Sequence, residues 1–166
     1  MDLNIYIVDD DISIRQILKN IIVSNKLGNV IGESSNGDEG LQKIALLRPE
    51  IVIVDLLLPY IDGIELVTKA KELNVPVLYV MISQVSSKEM IAKAYESGIE
   101  YFINKPINVN EVVYVIKKVI EKHKLTETLR HIESAFKILK DLNGAAPVEK
   151  GKVVSIKESA KLVLSQ

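Results

Sequence analysis

Five times along this chain, a short run of β-branched, apolar residues is followed by a longer amphipathic stretch. "LNIYIV" (3–8), "NVIGES" (29–34), "IVIV" (51–54), "VPVLYVMIS" (75–83) and "IEYFIN" (99–104) read as strands. Residues 12–25 repeat Ile14, Ile17, Leu18, Ile21 and Ile22 at helical spacing. Asp38 to Leu47 is a second helix, with Leu41, Ile44 and Ala45 inward and Pro49 as its stop. Residues 62–73 and 86–98 are helical, the latter with a serine cap and a terminal glycine, and a long helix starts at Val109. Strands that are apolar at every position are buried on both faces, and helical connections imply parallel pairing. Right-handed crossovers then give an α/β fold: a doubly wound, five-stranded parallel sheet of expected order 2-1-3-4-5.

Of the 166 residues, 48% are hydrophobic but only 5% aromatic, so the core is aliphatic. The net charge of −1 argues against nucleic acid or a membrane as a direct partner of this chain. The absence of cysteine excludes disulfides and thiolate metal sites and suits a reducing compartment. No apolar stretch reaches the roughly 18 residues that span a bilayer. There is no basic segment with a small-residue cleavage site at the N-terminus. The expectation is a soluble cytoplasmic protein.

In an open sheet of this order, ligands bind at the carboxyl ends of the strands, where the order reverses between the first and third. Asp9 and Asp10 end the first strand, and Asp55 ends the third. Asp11 reads as the cap of the helix that follows. One helix start needs one cap, so Asp9 and Asp10 are left over. Clustered carboxylates are costly without a hard cation, and Mg²⁺ uses one or two carboxylates with waters and phosphate oxygens. Ser83 ends the fourth strand and Lys105 the fifth. Alone, such a serine is usually a cap and such a lysine solvated. Together with the acids they supply a hydroxyl and an ammonium for phosphoryl oxygens.

The stretches "IVDDD", "VDLLLP" followed by "DG", "MIS" and "NKP" resemble the receiver domain of two-component response regulators, over roughly residues 1–122. The resemblance implies a CheY-like (flavodoxin-like) fold. It implies that Asp55 is the phosphoacceptor for a sensor histidine kinase. Asp9, Asp10, Asp55 and the backbone carbonyl of Leu57 would hold Mg²⁺, and Ser83 and Lys105 would contact the phosphoryl oxygens. Lys105–Pro106 would be a cis peptide. Phe102 matches the family's switch aromatic, and Tyr101 beside it is a rival for that role. "VMISQVSSKEMIAKAY" and "YFINKPIN" are similar to a narrower group, the GlnL (YcbB)-type glutamine-sensing regulators, whose receivers precede a DNA-binding domain.

There are departures from the family pattern. Met81 stands where a simple count puts the hydroxyl, and Ser83 is chosen because the chemistry needs an oxygen. Gln84 is bulky where the family usually has a small residue. Leu57 and Val85, two beyond Asp55 and Ser83, cannot orient an attacking water, so the acyl phosphate is expected to hydrolyse slowly.

Beyond residue 122 the apolar stripe changes phase. Leu125, Leu129, Ile132, Phe136 and Leu139 recur at alternating spacings of four and three, a coiled-coil seam over 123–141. It falls short of the three or four heptads that settle such an assignment. A parallel homodimer is the expectation, with a helix folded back on its own domain as the alternative. Residues 142–154 read as a linker. Residues 155–166, with a Ser155/Glu158 capping box, read as the start of a truncated effector domain. DNA contact would then come only through an effector missing from this chain. His123 and His131 lack the context of a phosphohistidine or a metal set. The leading expectation is a phosphorylation-controlled switch that is not an enzyme. The alternatives are a stand-alone receiver acting by protein contact and a Mg²⁺-dependent phosphatase or hydrolase. The best-known hydrolase of that kind needs an acid two residues after the nucleophile, where this chain has Leu57.

Overall fold

The computed structural model describes residues 3–85 and 87–142. In order they form β1 (Asn4–Val8), α1 (Ile12–Ser24), β2 (Asn29–Ser34), α2 (Gly37–Leu47), β3 (Ile51–Asp55), α3 (Gly63–Glu72), β4 (Leu78–Ser83), α4 (Lys88–Ser97), β5 (Tyr101–Asn104) and α5 (Val109–Leu142). The strands make one parallel sheet of order β2-β1-β3-β4-β5, the order expected from the pattern. The chain divides after Lys124 into two units; the first carries the sheet, and the described part of the second is the end of α5.

Alternate residues of each strand feed two cores. Ile5, Ile7, Ile51, Ile53, Val80 and Ile82 meet α1 and the first turns of α5 on one face. Tyr6, Val8, Val52, Val54, Tyr79 and Met81 meet α2, α3 and α4 on the other. Full burial of an aliphatic side chain of this size stabilises by about 1.5–3 kcal/mol. This two-sided burial is why the strands are apolar at every position, and why a parallel sheet is stable here.

The helix starts are set by short polar side chains. Asp11, Asn36, Asp62 and Ser87 each accept a hydrogen bond from a backbone amide two or three residues on. Ser86, the first residue of the predicted fourth helix, lies outside the described residues, and Ser87 is the cap. Gly98 ends α4 with φ 94°, which a residue with a Cβ rarely adopts.

Some expectations are corrected. β4 starts at Leu78 rather than 75, because Val77 N donates to Val75 O in a local turn around Pro76. β5 starts at Tyr101 rather than 99. Ala45 is exposed and Ile17 is 41% exposed. On α2 the inward positions are Gly37, Gly40 and Ile44, with Leu41 half-buried beside them. A Cβ at Gly40 would sit 3.0 Å from both methyls of Val8, so the helix approaches β1 through a missing side chain that hydropathy does not score. The helix includes Leu142, the first residue of the predicted linker. The remainder of that linker and the predicted effector start, 155–166, lie outside the described residues. Among the described residues, no helix is long and apolar enough to cross a membrane.

The Asp62–Gly63 pair ties the fold to the strand that carries Asp55. Asp62 Oδ1 accepts from Glu65 N at 2.8 Å, and Gly63 N donates to Leu56 O at 2.9 Å. A Cβ at Gly63 would lie 2.3 Å from the carbonyl oxygen of Asp55. Gly63→Ala therefore has to push α3 off the end of β3, at a cost of about 1–3 kcal/mol. Urea denaturation checks this, and an unchanged midpoint would show that the contact is slack.

Candidate functional site

Parallel register brings four strand ends together. Val8 pairs with Val54, so Asp9 and Asp55 leave the sheet side by side. Asp55 pairs with Ile82, Ser83 pairs with Asn104, and Lys105 N donates to Ser83 O at 2.8 Å. Oxygens from Asp9, Asp10 and Asp55 lie within 4.8 Å of one another. Asp9 and Asp55 are buried, and Asp10 is exposed at the rim.

Lys105 reaches back into this group. Its ammonium donates to Asp55 Oδ2 at 2.6 Å and lies 2.9 Å from Asp9 Oδ2. Asp55 Oδ1 accepts from Leu57 N at 3.2 Å, and Asp9 Oδ1 from Asp11 N at 2.9 Å. Asp9 Oδ2 is buried and, despite the ion pair, receives no hydrogen bond of good geometry. Burial pushes the Asp9 carboxyl above its ordinary value; Lys105 and the Asp11 amide only partly offset this, and Asp55 adds repulsion. Burial works against the charge on Lys105 as well, but its hydrogen bond to Asp55 and the attraction of Asp55 and Asp9 outweigh it and raise its pKa. With all three acids ionised, three carboxylates and one ammonium leave an excess of two negative charges. Three carboxylates within reach of one point and that excess of negative charge suit a hard divalent cation.

The other predicted residues fall around this group. Ser83 is fully buried, and its Oγ accepts from Val85 N at 3.0 Å, leaving its proton free to donate. Met81 lies inside β4, packed in the core and paired with Phe102. Side chains alternate along a strand, so Ser83 shares the face of Met81 and Phe102. Phe102 packs toward the α2, α3 and α4 side, and Tyr101 toward the α1 and α5 side. The two rivals for the switch position thus stand on opposite faces. The Lys105–Pro106 peptide is cis. Leu57 is 55% exposed and, with Asp10, Asp11, Asp55, Gln84 and Lys105, lines a cleft of about 260 Å³.

The structure adds Arg15, which strand-end reasoning passes over. Its guanidinium donates to the carbonyl oxygens of Asp9 and Asp10. The signal was a charged residue on the inward face of α1, between Ile14 and Leu18.

This arrangement is that of a receiver. Residues 5–130 match the response regulator receiver domain, and the chain belongs to that family. It is 38% identical to the transcriptional regulatory protein GlnL of Bacillus subtilis over 165 residues, 97% of this chain and 52% of GlnL. That identity is consistent with the GlnL-type group, and the chain spans about half of GlnL's length. It is 30% identical to the chemotaxis protein CheY of B. subtilis over 116 residues, 70% of this chain and 96% of CheY. The crystal structure of a CheY-like response regulator receiver protein from Methanospirillum hungatei superposes with a TM-score of 0.70 at 27% identity. That match covers 76% of this chain and 99% of the other. Receiver domains bind Mg²⁺ at an acidic pocket and interact with histidine kinases, and Asp9, Asp10 and Asp55 form such a pocket here.

The raised pKa of Asp9 has a consequence for stability. Between the unfolded value near 3.8 and the higher folded value, the native state holds more protons, so stability falls as pH rises through that window. Asp9→Asn removes this loss. In EDTA at pH 7 the variant should be more stable than the wild type by urea denaturation, with the gap closing toward pH 4. A less stable variant at pH 7 would mean that the Lys105 pair outweighs burial.

Proposed function

We propose that Asp55 accepts a phosphoryl group from a sensor histidine kinase in a Mg²⁺-dependent reaction in the cytoplasm. The observation that carries this reading is the convergence of Asp9, Asp10 and Asp55 within 4.8 Å, with Lys105 on one oxygen of Asp55. Asp9, Asp10, Asp55 and the carbonyl of Leu57 would hold Mg²⁺. The bound ion would reduce the repulsion between the Asp55 carboxylate and an incoming dianion. An Asp55 oxygen attacks phosphorus, the bond to the kinase histidine breaks, and the imidazole leaves. Phosphoryl transfer has a loose transition state, so the protein's work is positioning and charge neutralisation. Lys105 moves from pairing a carboxylate to pairing a phosphoryl oxygen, and the buried Ser83 hydroxyl donates to another.

The added charge of about −2 is what switches the protein. Drawing Ser83 toward the phosphoryl group frees space on the face that it shares with Phe102. Phe102, rather than Tyr101, then moves inward, and the surface of α4, β5 and α5 changes. We assign the output to transcription through a DNA-binding effector, because the match to GlnL runs over 165 residues and that protein is a transcriptional regulator. The CheY match covers nearly all of CheY and favours, as the second reading, a stand-alone receiver that acts by protein contact. A phosphatase finds no support, since the exposed Leu57 offers no acid beside Asp55.

Acetyl phosphate with Mg²⁺ should add one phosphoryl group by intact mass, and Asp55→Ala should add none. Because Leu57 and Val85 cannot orient water, the adduct should outlast the seconds scale. No adduct on the wild type would end this reading, and a half-life of seconds would end the assignment of those two residues.

The end of α5 is assigned to a parallel homodimer. Leu125, Leu129, Ile132, Phe136 and Leu139 are 37–55% exposed along one stripe. Two copies in register would cover that stripe. Sedimentation equilibrium should find a dimer that Ile132→Asp with Phe136→Asp converts to monomer. A wild-type chain that stays monomeric, phosphorylated or not, would remove the seam.

A further inference from the structure

Behind the acidic pair lies a buried arginine that the phosphoryl-transfer reading does not use. Arg15 is on the first turn of α1 and 9% exposed. Its Nη1 donates to Asp9 O at 2.7 Å and lies 3.3 Å from Asp10 O. These are the carbonyls of the two residues whose carboxylates face Asp55. Along its other edge, Nε lies 3.4 Å from Glu33 Oε1, too poorly aligned for a hydrogen bond. Glu33, on β2, is held in turn by Lys19 at 2.7 Å. Lys19, against the opposing effect of burial and with help from Arg15, keeps the Glu33 carboxyl below its ordinary pKa.

A guanidinium is planar and stays charged, so one edge can hold backbone carbonyls while the other faces a carboxylate. The carbonyls it holds belong to consecutive residues in the turn between β1 and α1. Fixing their peptide planes fixes the directions in which the side chains of Asp9 and Asp10 leave the chain. We propose that Arg15, steadied by Glu33, is the positioning residue that presents Asp9 and Asp10 to a divalent cation. This rests on the Mg²⁺ reading above. Charge and geometry pull in opposite directions here. As a nearby positive charge, Arg15 repels a cation, and its removal would tighten binding. As a positioning group it preorganises the ligands, and its removal weakens binding.

The test is Mg²⁺ binding by calorimetry on the full chain, without a phosphoryl donor, in the wild type, Arg15→Lys, Arg15→Met and Glu33→Gln. Partners of metal ligands typically contribute about 10–100-fold in affinity. Arg15→Lys and Arg15→Met should each raise the Mg²⁺ Kd at least tenfold, and Glu33→Gln should raise it less. Ile44→Val, a core truncation on the opposite face of the sheet, should lower the urea midpoint and leave the Kd unchanged. If Arg15→Met does not fold, Arg15→Lys and Glu33→Gln decide the matter. An unchanged or lower Kd in Arg15→Lys, with the wild type binding normally, overturns the positioning role alone. A wild type without saturable Mg²⁺ binding overturns the cation reading, and this inference falls with it.

Discussion

Two buried carboxylates share one ammonium at the carboxyl edge of the sheet. Asp9 and Asp55 are each within 2.9 Å of Lys105 Nζ, and all three groups are largely withdrawn from water. Removing Lys105 would leave both buried carboxylates without a counter-charge, which is far costlier than losing a surface pair. The group is also imbalanced, because the exposed Asp10 adds a further negative charge at its rim. The fold thus holds a site whose charge is incomplete without a cation, and the architecture has to be rigid enough to hold it so.

That rigidity comes from the two cores. Apart from the strand-end Asp55 and Ser83, the buried residues of β1, β3 and β4 are aliphatic, tyrosine or methionine, so the strands cannot slip by one residue without exchanging one packed face for the other. Register delivers Asp9 beside Asp55, and Gly63 lets α3 begin against the backbone of Asp55. On the other side, Arg15 donates to the main chain of the turn that carries the acid pair. The site is therefore assembled from backbone positions fixed by packing, with polar side chains making the last adjustment.

Phosphorylation, in this reading, exchanges one partner of Lys105 for another and adds charge where the site already has an excess. Ser83 and Phe102 lie on one face of adjacent strands, where Met81 pairs with Phe102 in the core. Gln84 and the exposed, apolar Leu57 line the cleft beside Asp55 and Lys105.

Much of this was readable along the chain. Apolar runs alternating with helical periodicity carry the sheet order, because burial on both faces and right-handed crossovers leave little choice. Strand ends carry Asp9, Asp55 and Lys105, because a parallel sheet puts every carboxyl end on one edge. Local counting did less well where packing intervenes. Gly40 is a core position without a side chain, Ala45 lies off the buried stripe, and β4 begins three residues later than its apolar run. The choice between Phe102 and Tyr101 could not be made from adjacency, since neighbours on a strand differ only in which face they take, and the partners across the sheet assign the faces. Arg15 is a charged residue on the inward face of α1. Its meaning lies in the carbonyls of Asp9 and Asp10, and a hydrogen bond to the main chain leaves no mark on the identity of the residue that accepts it.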